Sequence, residues 1–227
     1  MPDVELDFSR EEYATRLAKV RSAMESKGIE VLVSADPSNM SWLTGYDGWS
    51  FYTPQAVLVT HDDDPIWWGR GMDAKGALRT VYMDERHVIA YSDDHVMSTE
   101  KHAYQHLAAL LSDSRFGQAT IGVELDNYYY SAASHIHLLA GLPQAQIVDA
   151  TGLINWQRTI KSEQELSAGD VLMFNQIQIG KVLIGSPYAF ALVKLTIIGI
   201  NYVKVNYSKE EGAESLKKED KIENKGF

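Results

Sequence analysis

Three large aromatic residues stand close together in the stretch DPSNMSWLTGYDGWSFYTPQAVLVT, residues 36–60. Trp49, Phe51 and Tyr52 follow Gly45-Tyr46-Asp47-Gly48, and glycine takes up backbone angles that other residues avoid. Rings with polar tips are favoured where a surface meets a ligand or a partner. The same rings can also plug the edge of a core. The residues by themselves leave both readings open.

Other chemistry-bearing patterns are weaker. Gly69-Arg70-Gly71-Met72-Asp73-Ala74 fits the relaxed dinucleotide fingerprint, following a strand-like run. Arg70 and Asp73 occupy positions where bare backbone should approach a pyrophosphate, so the segment reads as a glycine-rich turn leading into a helix. No cofactor is expected. His102 and His106 lie four apart and share a helix face, a zinc-capable spacing, but no third ligand joins them. Their neighbours Lys101, Tyr104 and Gln105 mark a solvated face. His135 and His137 are two apart and point to different sides. Asp62-Asp63-Asp64 lacks the spacing of a calcium loop and reads as a solvated turn, as does Asp93-Asp94-His95. There is no G-x-S-x-G elbow and no defensible Ser-His-Asp order. No metal site and no catalytic residue is expected in this chain.

The elements that must position these residues alternate. Ser9 to Lys27 is the clearest helix, with a capping-box pattern at Ser9 and Glu12 and a stop at Gly28. Ile29–Ser34 is a short apolar strand. Asp36-Pro37-Ser38-Asn39 reads as a turn, followed by a short amphipathic piece, Met40 to Leu43. Ala56–Thr60 and Ile66–Trp68 form a hairpin about the turn at 61–65. Further helices are expected at Ser98–Ser112 and Tyr128–Ala140, a weak one at Asp73–Met83, and strands at His87–Tyr91, Thr120–Leu125 and Ile147–Val148. This alternation predicts an α/β class with a mixed β-sheet flanked by helices.

The 227 residues can hold one sizeable core or two small ones. The net charge of −10 disfavours phosphate backbones, so nucleic acid is not an expected partner. The chain has no cysteine, which excludes disulfides, thiolate metal sites and cysteine nucleophiles. MPDVELDFSREEY carries no apolar run of the secretory kind, and the chain reads as cytoplasmic. Val182–Val203 is long and apolar enough to raise a membrane span, but Lys194, Pro187, Gly185 and Gly199 interrupt it. The alternation along Ala191, Val193, Leu195 and Ile197 suits a strand better.

The PSN…WLTG turn, the loop after it and the following strand resemble the N-terminal domain of the creatinase, prolidase and aminopeptidase P family. Within that family GYDGWSFY and WWGRGMDAKGALRT look most like its ectoine hydrolases. The resemblance runs from about Phe8 to Leu166 and ends in LINWQRTIKSEQEL, similar to the family's link between two domains. It implies a creatinase-like domain at 1–166; beyond it, composition marks a divergent apolar segment at 167–207 that could add strands and a charged tail at 208–227 that reads as disordered. The resemblance further implies a hydrolase acting on C–N bonds of a small cyclic amidine or related substrate. The catalytic carboxylates and histidine of the metal-dependent relatives belong to a C-terminal domain without counterpart here, so the chain is expected to be inactive alone. The N-terminal domain of the family is a dimerisation and lid element, which implies a homodimer. By position, the substrate-covering loop corresponds to Trp49, Phe51 and Tyr52, and the arginine segment to Arg70 and Arg79. A guanidinium fork suits a carboxylate substrate. The alternative is a stand-alone module that binds a small zwitterion or pairs with a full-length relative.

Overall fold

A computed structural model describes Val4, residues 6–162, residues 164–165, and the strand residues 171–174, 177–184 and 190–193. The chain divides after Ile160 into two units, each treated by itself below.

The first unit is built on a six-stranded sheet. Its strands are β1 (Val31–Ser34), β2 (Ala56–Thr60), β3 (Ile66–Arg70), β4 (Val88–Tyr91), β5 (Thr120–Val123) and β6 (Gln146–Asp149), in the order β4-β3-β2-β1-β5-β6. β2 runs antiparallel to β1 and β3, while β4, β5 and β6 pair in parallel with β3, β1 and β5. The expected mixed sheet is therefore present. Side chains alternate between its faces. Leu32, Val57, Val59 and Trp67 enter one apolar core, and Val31, Val33, Leu58 and Trp68 enter the other. The first core is covered by α1 (Arg10–Ser26), α2 (Pro37–Thr44), α3 (Gly71–Thr80) and α6 (Leu153–Arg158). The second is covered by α4 (Ala103–Ser112) and α5 (Ala132–Gly141).

Helix α1 forms where its periodicity places it. Ser9 Oγ accepts from Glu12 N at 3.1 Å, and Tyr13, Leu17, Val20 and Met24 are buried. Glu12 turns its carboxylate to Arg16 at 2.9 Å, inside the core, so a buried ion pair stands where the sequence suggested the second half of a capping box.

Several boundaries differ from expectation: the helix expected at Asp73–Met83 is α3, Gly71–Thr80, and caps move three others. Asp36–Asn39 is no separate turn but the start of α2: Asp36 caps it by accepting from Asn39 N at 3.0 Å, with Pro37 in the first helical position. Helix α4 starts at Ala103 rather than Ser98, because His102 Nδ1 accepts from Tyr104 N at 3.1 Å and Gln105 Oε1 accepts from His102 N at 2.9 Å. Helix α5 starts at Ala132, where Ser131 accepts from Ser134 N.

In the second unit β7 (Val171–Phe174), β8 (Ile177–Ile184) and β9 (Phe190–Val193) form an antiparallel sheet in that order. Among the described residues no helix is long and apolar enough to cross a membrane. Leu195, Ile197 and the charged run 208–227 lie outside the described residues.

Candidate functional site

The aromatic loop is held from within. Tyr46 folds under it, its hydroxyl donating to Gln55 Oε1 at 2.8 Å and lying 3.3 Å from Ser50 Oγ. Burial pushes the Tyr46 phenol up from its ordinary value. Thr53 donates from its N and Oγ1 to Ser50 O, and Tyr91 Oη donates to Pro54 O at 2.7 Å. The two glycines play different parts. Gly45 takes a positive φ of 80°, and a side chain there would meet Thr80 O at 2.8 Å. Gly48 has no such angle; a Cβ on it would overlap the Tyr46 ring.

This anchoring leaves Trp49 and Tyr52 outside the core. Trp49 is 84% and Tyr52 75% exposed, while Phe51 is half-buried. Phe51 lies 5.9 Å from Trp49 and 5.5 Å, edge-on, from Tyr129 between ring centroids. Tyr129 in turn meets Tyr128 at 5.3 Å. A file of rings thus runs from the loop to the turn after β5.

The two arginines are not brought together as a free pair. Arg70 is clamped by Asp93 through two hydrogen bonds, Nε to Oδ1 at 2.8 Å and Nη2 to Oδ2 at 2.9 Å. That pairing holds the Asp93 carboxyl below, and the Arg70 guanidinium above, their ordinary values. Arg79 is exposed in the last turn of α3 and makes no ion pair or hydrogen bond among the described residues. The expected glycine-rich turn is absent, since Gly69 and Arg70 end β3 and Gly71 opens α3; a Cβ on Gly69 would meet the buried Trp67 ring at 2.5 Å.

The histidines are more engaged than a solvated face. His102 and His106 are half-buried. His102 caps α4 and stacks on His137 with centroids 4.7 Å apart. His106 Nδ1 accepts from the indole Nε1 of Trp68 at 3.1 Å. Burial first, then the neighbouring histidines, lower both imidazoles from their ordinary value. Among the described residues no cluster of three or more His, Asp or Glu could hold a metal ion.

The feature that the sequence did not disclose is a buried polar network around Glu124, which is 3% exposed at the end of β5. Its Oε1 accepts from Asn39 Nδ2 at 2.6 Å and Ser34 Oγ at 3.1 Å. Its Oε2 accepts from Ala35 N at 2.8 Å, Asp36 N at 3.1 Å and Asn127 Nδ2 at 3.2 Å. Burial raises the Glu124 carboxyl, and these hydrogen bonds oppose the rise. Asn39 also donates to Asn155 Oδ1 at 3.1 Å and accepts from Arg158 Nη1 at 2.8 Å, tying α2 to α6. Glu124 also lines a pocket of about 400 Å³ with Asp36, Asp126, Tyr128, Thr151 and Trp156. Asn39, inside the PSN turn, was the one available signal.

A family model described as the creatinase/prolidase N-terminal domain matches residues 16–160. The chain belongs to that family. Over 167 residues it is 52% identical to an ectoine hydrolase of Halomonas elongata, covering 73% of this chain and 42% of that protein. A hydrolase/peptidase of Sinorhizobium fredii is 42% identical over 163 residues, covering 71% of this chain and 42% of the relative. The chain therefore spans less than half the length of these two curated relatives. A solved proline dipeptidase chain from Streptococcus pneumoniae shares the fold, with TM-score 0.51 at 22% identity over 64% of this chain and 98% of that one. In this member of the creatinase/prolidase N-terminal family, the PSN run is the first turn of α2, capped by Asp36, and its Asn39 donates to Glu124. In the second unit, the link sequence forms a reciprocal cap. Ser162 N donates to Glu165 Oε2 at 2.8 Å, and Glu165 N to Ser162 Oγ at 3.2 Å.

Proposed function

We propose that residues 1–166 are the N-terminal dimerisation and lid domain of an ectoine-hydrolase-like enzyme of the creatinase/Xaa-Pro peptidase family. The substrate is a small cyclic amidine or a related compound whose C–N bond is cleaved, and this chain by itself does not cleave it. The reading rests on the 52% identity to the Halomonas elongata ectoine hydrolase across the domain. The outward rings of Trp49 and Tyr52, on a loop anchored by Tyr46 and Gln55, support a covering role. An isolated domain has no packing reason to leave two such rings in water. Arg70, held by Asp93, is a positioned charge beside the loop, and Arg79 is the freer donor for a carboxylate. The reading places the protein in the cytoplasm, as a homodimer without nucleic-acid partners.

The test assays the purified chain against ectoine, creatine and an Xaa-Pro dipeptide, with and without divalent metal, and measures its mass by sedimentation. The expected result is background turnover and a dimer. Turnover well above background, or a monomer at every concentration, overturns the corresponding part. Phe51→Ala placed in a full-length relative is expected to raise KM or lower kcat; unchanged kinetics remove the loop from the site.

A second reading is a module that acts alone or pairs with a full-length relative; residues 171–193 hold a three-stranded sheet of their own. Mass determination of the native protein separates the two: a product of 227 residues supports the module, and a longer one removes it.

A further inference from the structure

The pocket beside Glu124 lies where a ligand site of this sheet type is expected. From β1 the chain winds to β2, β3 and β4 on one side, then returns to β5 and β6 on the other. Strands β1, β5 and β6 are parallel, and the segments leaving their carboxyl ends diverge. In open α/β sheets that divergence leaves a crevice, and ligands occupy it. Here the crevice is lined by Asp36 after β1, by Glu124, Asp126 and Tyr128 after β5, and by Thr151 and Trp156 after β6.

Its chemistry has one sign. The lining contains three carboxylates and no lysine, arginine or histidine. Glu124 receives five hydrogen bonds, all from neutral donors: two backbone N–H groups, two side-chain amides and a hydroxyl. These donors bond the carboxylate but bring no positive charge to it. Arg158 donates to the oxygen of the Asn39 amide whose nitrogen donates to Glu124. At the rim stand two rings that the core does not use, Tyr128 at 93% and Trp156 at 74% exposed. Ring faces beside carboxylates attract organic cations, which are cheaper to desolvate than metal ions. A volume of about 400 Å³ is that of a small-molecule site.

We propose that this pocket binds a small organic cation of the ammonium or amidinium type, with Glu124 and Asp126 supplying charge and Tyr128 and Trp156 the ring faces. The pocket adjoins the aromatic loop through Tyr129, which lines it and meets Phe51, but the proposal does not rest on the lid reading.

The full chain is titrated with benzamidine hydrochloride and with tetramethylammonium chloride, following backbone and indole N–H resonances. Sodium benzoate and sodium chloride serve as controls. The expected result is saturable shifts at the Trp156 indole and at the amides of Asp126, Tyr128 and Thr151, with Kd in roughly the millimolar range for such small probes. Benzoate and sodium chloride should not reproduce them. Glu124→Gln can disturb folding, so Asp126→Asn and Trp156→Ala, both at exposed positions, carry the test. Each should weaken binding roughly tenfold, the effect of one lost charge or cation–π contact, without moving Tm. Trp49→Ala combined with Tyr52→Ala should leave binding intact even if the lid reading fails. Three outcomes overturn the proposal: no saturation at roughly ten times the expected Kd, equal shifts with sodium chloride, or unchanged affinity in both surface variants. Protection of Trp156 only by the remainder of a longer relative, with no cation bound, assigns these rings to protein contact and also overturns it.

Discussion

Replacing Asn39 by alanine removes the side chain that joins β5, α2 and α6. Asn39 is fully buried and makes three side-chain hydrogen bonds: to Glu124 at 2.6 Å, to Asn155 at 3.1 Å and from Arg158 at 2.8 Å. The contact with Glu124 is the strongest, since a hydrogen bond to a charged group contributes about 1.5–3 kcal/mol and leaves a buried acceptor short when lost. Asn155 is exposed and Arg158 only half-buried, so water can replace much of what they lose. The sum is about 3 kcal/mol, equivalent to a Tm lower by roughly 6–12 °C for a unit of this size. Urea unfolding followed by tryptophan fluorescence, at pH 7, measures it. Asn39→Asp sharpens the argument, because it sets a second carboxyl 2.6 Å from Glu124. Two such groups cannot both ionise easily, so the folded state holds a shared proton with a raised pKa. A raised folded pKa contributes stability that is full below the unfolded value of about 4 and is lost as pH rises through the folded value. Asn39→Asp is thus expected to be close to wild type at low pH and far below it at pH 7. A loss under about 1 kcal/mol for Asn39→Ala, or a pH-independent deficit for Asn39→Asp, would refute the role given to this network.

Three further outcomes follow from the same geometry. His102 and His106 each accept a hydrogen bond at Nδ1 and have lowered pKa values, so the stability they confer is present above about 6.5 and is lost as pH falls through the folded values. His95 and His137 stand beside them and add to the repulsion when charged; urea melts at several pH values should show the slope, and His102→Asn combined with His106→Gln should flatten it. Gly69→Ala forces a methyl against Trp67 and should cost about 1–3 kcal/mol in the same assay, while an unchanged Tm would mean that the ring can move aside. Phe51→Ala, at a half-buried position, should cost under about 1 kcal/mol; a loss of several would make the loop a structural plug.

Much of the framework was legible locally. Helix α1 declares itself through Ser9, Gly28 and four apolar residues at helical spacing, and its predicted face is the buried one. The β2–β3 hairpin and the alternation that implies a mixed sheet were equally readable, because turn chemistry and side-chain period act over a few residues. Misplaced boundaries came from caps of unexpected type. A histidine is a rare N-cap, so the start of α4 was set too early, and the Asp36–Asn39 turn concealed a helix whose first residue is proline.

What the residues alone determined, then, was the class of fold and a loop of large rings whose direction stayed open. The outward direction of Trp49 and Tyr52 was decided by Tyr46, Ser50 and Gln55, which occupy the inward positions and leave none for those two rings. The Glu124 site was decided entirely by the tertiary structure. Asn39 meets Glu124 across 85 residues, Asn155 across 116 and Arg158 across 119. No local pattern encodes such a meeting. It follows from β1 and β5 lying side by side, which brings the residues leaving both strands to the same end of the sheet and gives a buried carboxylate its donors.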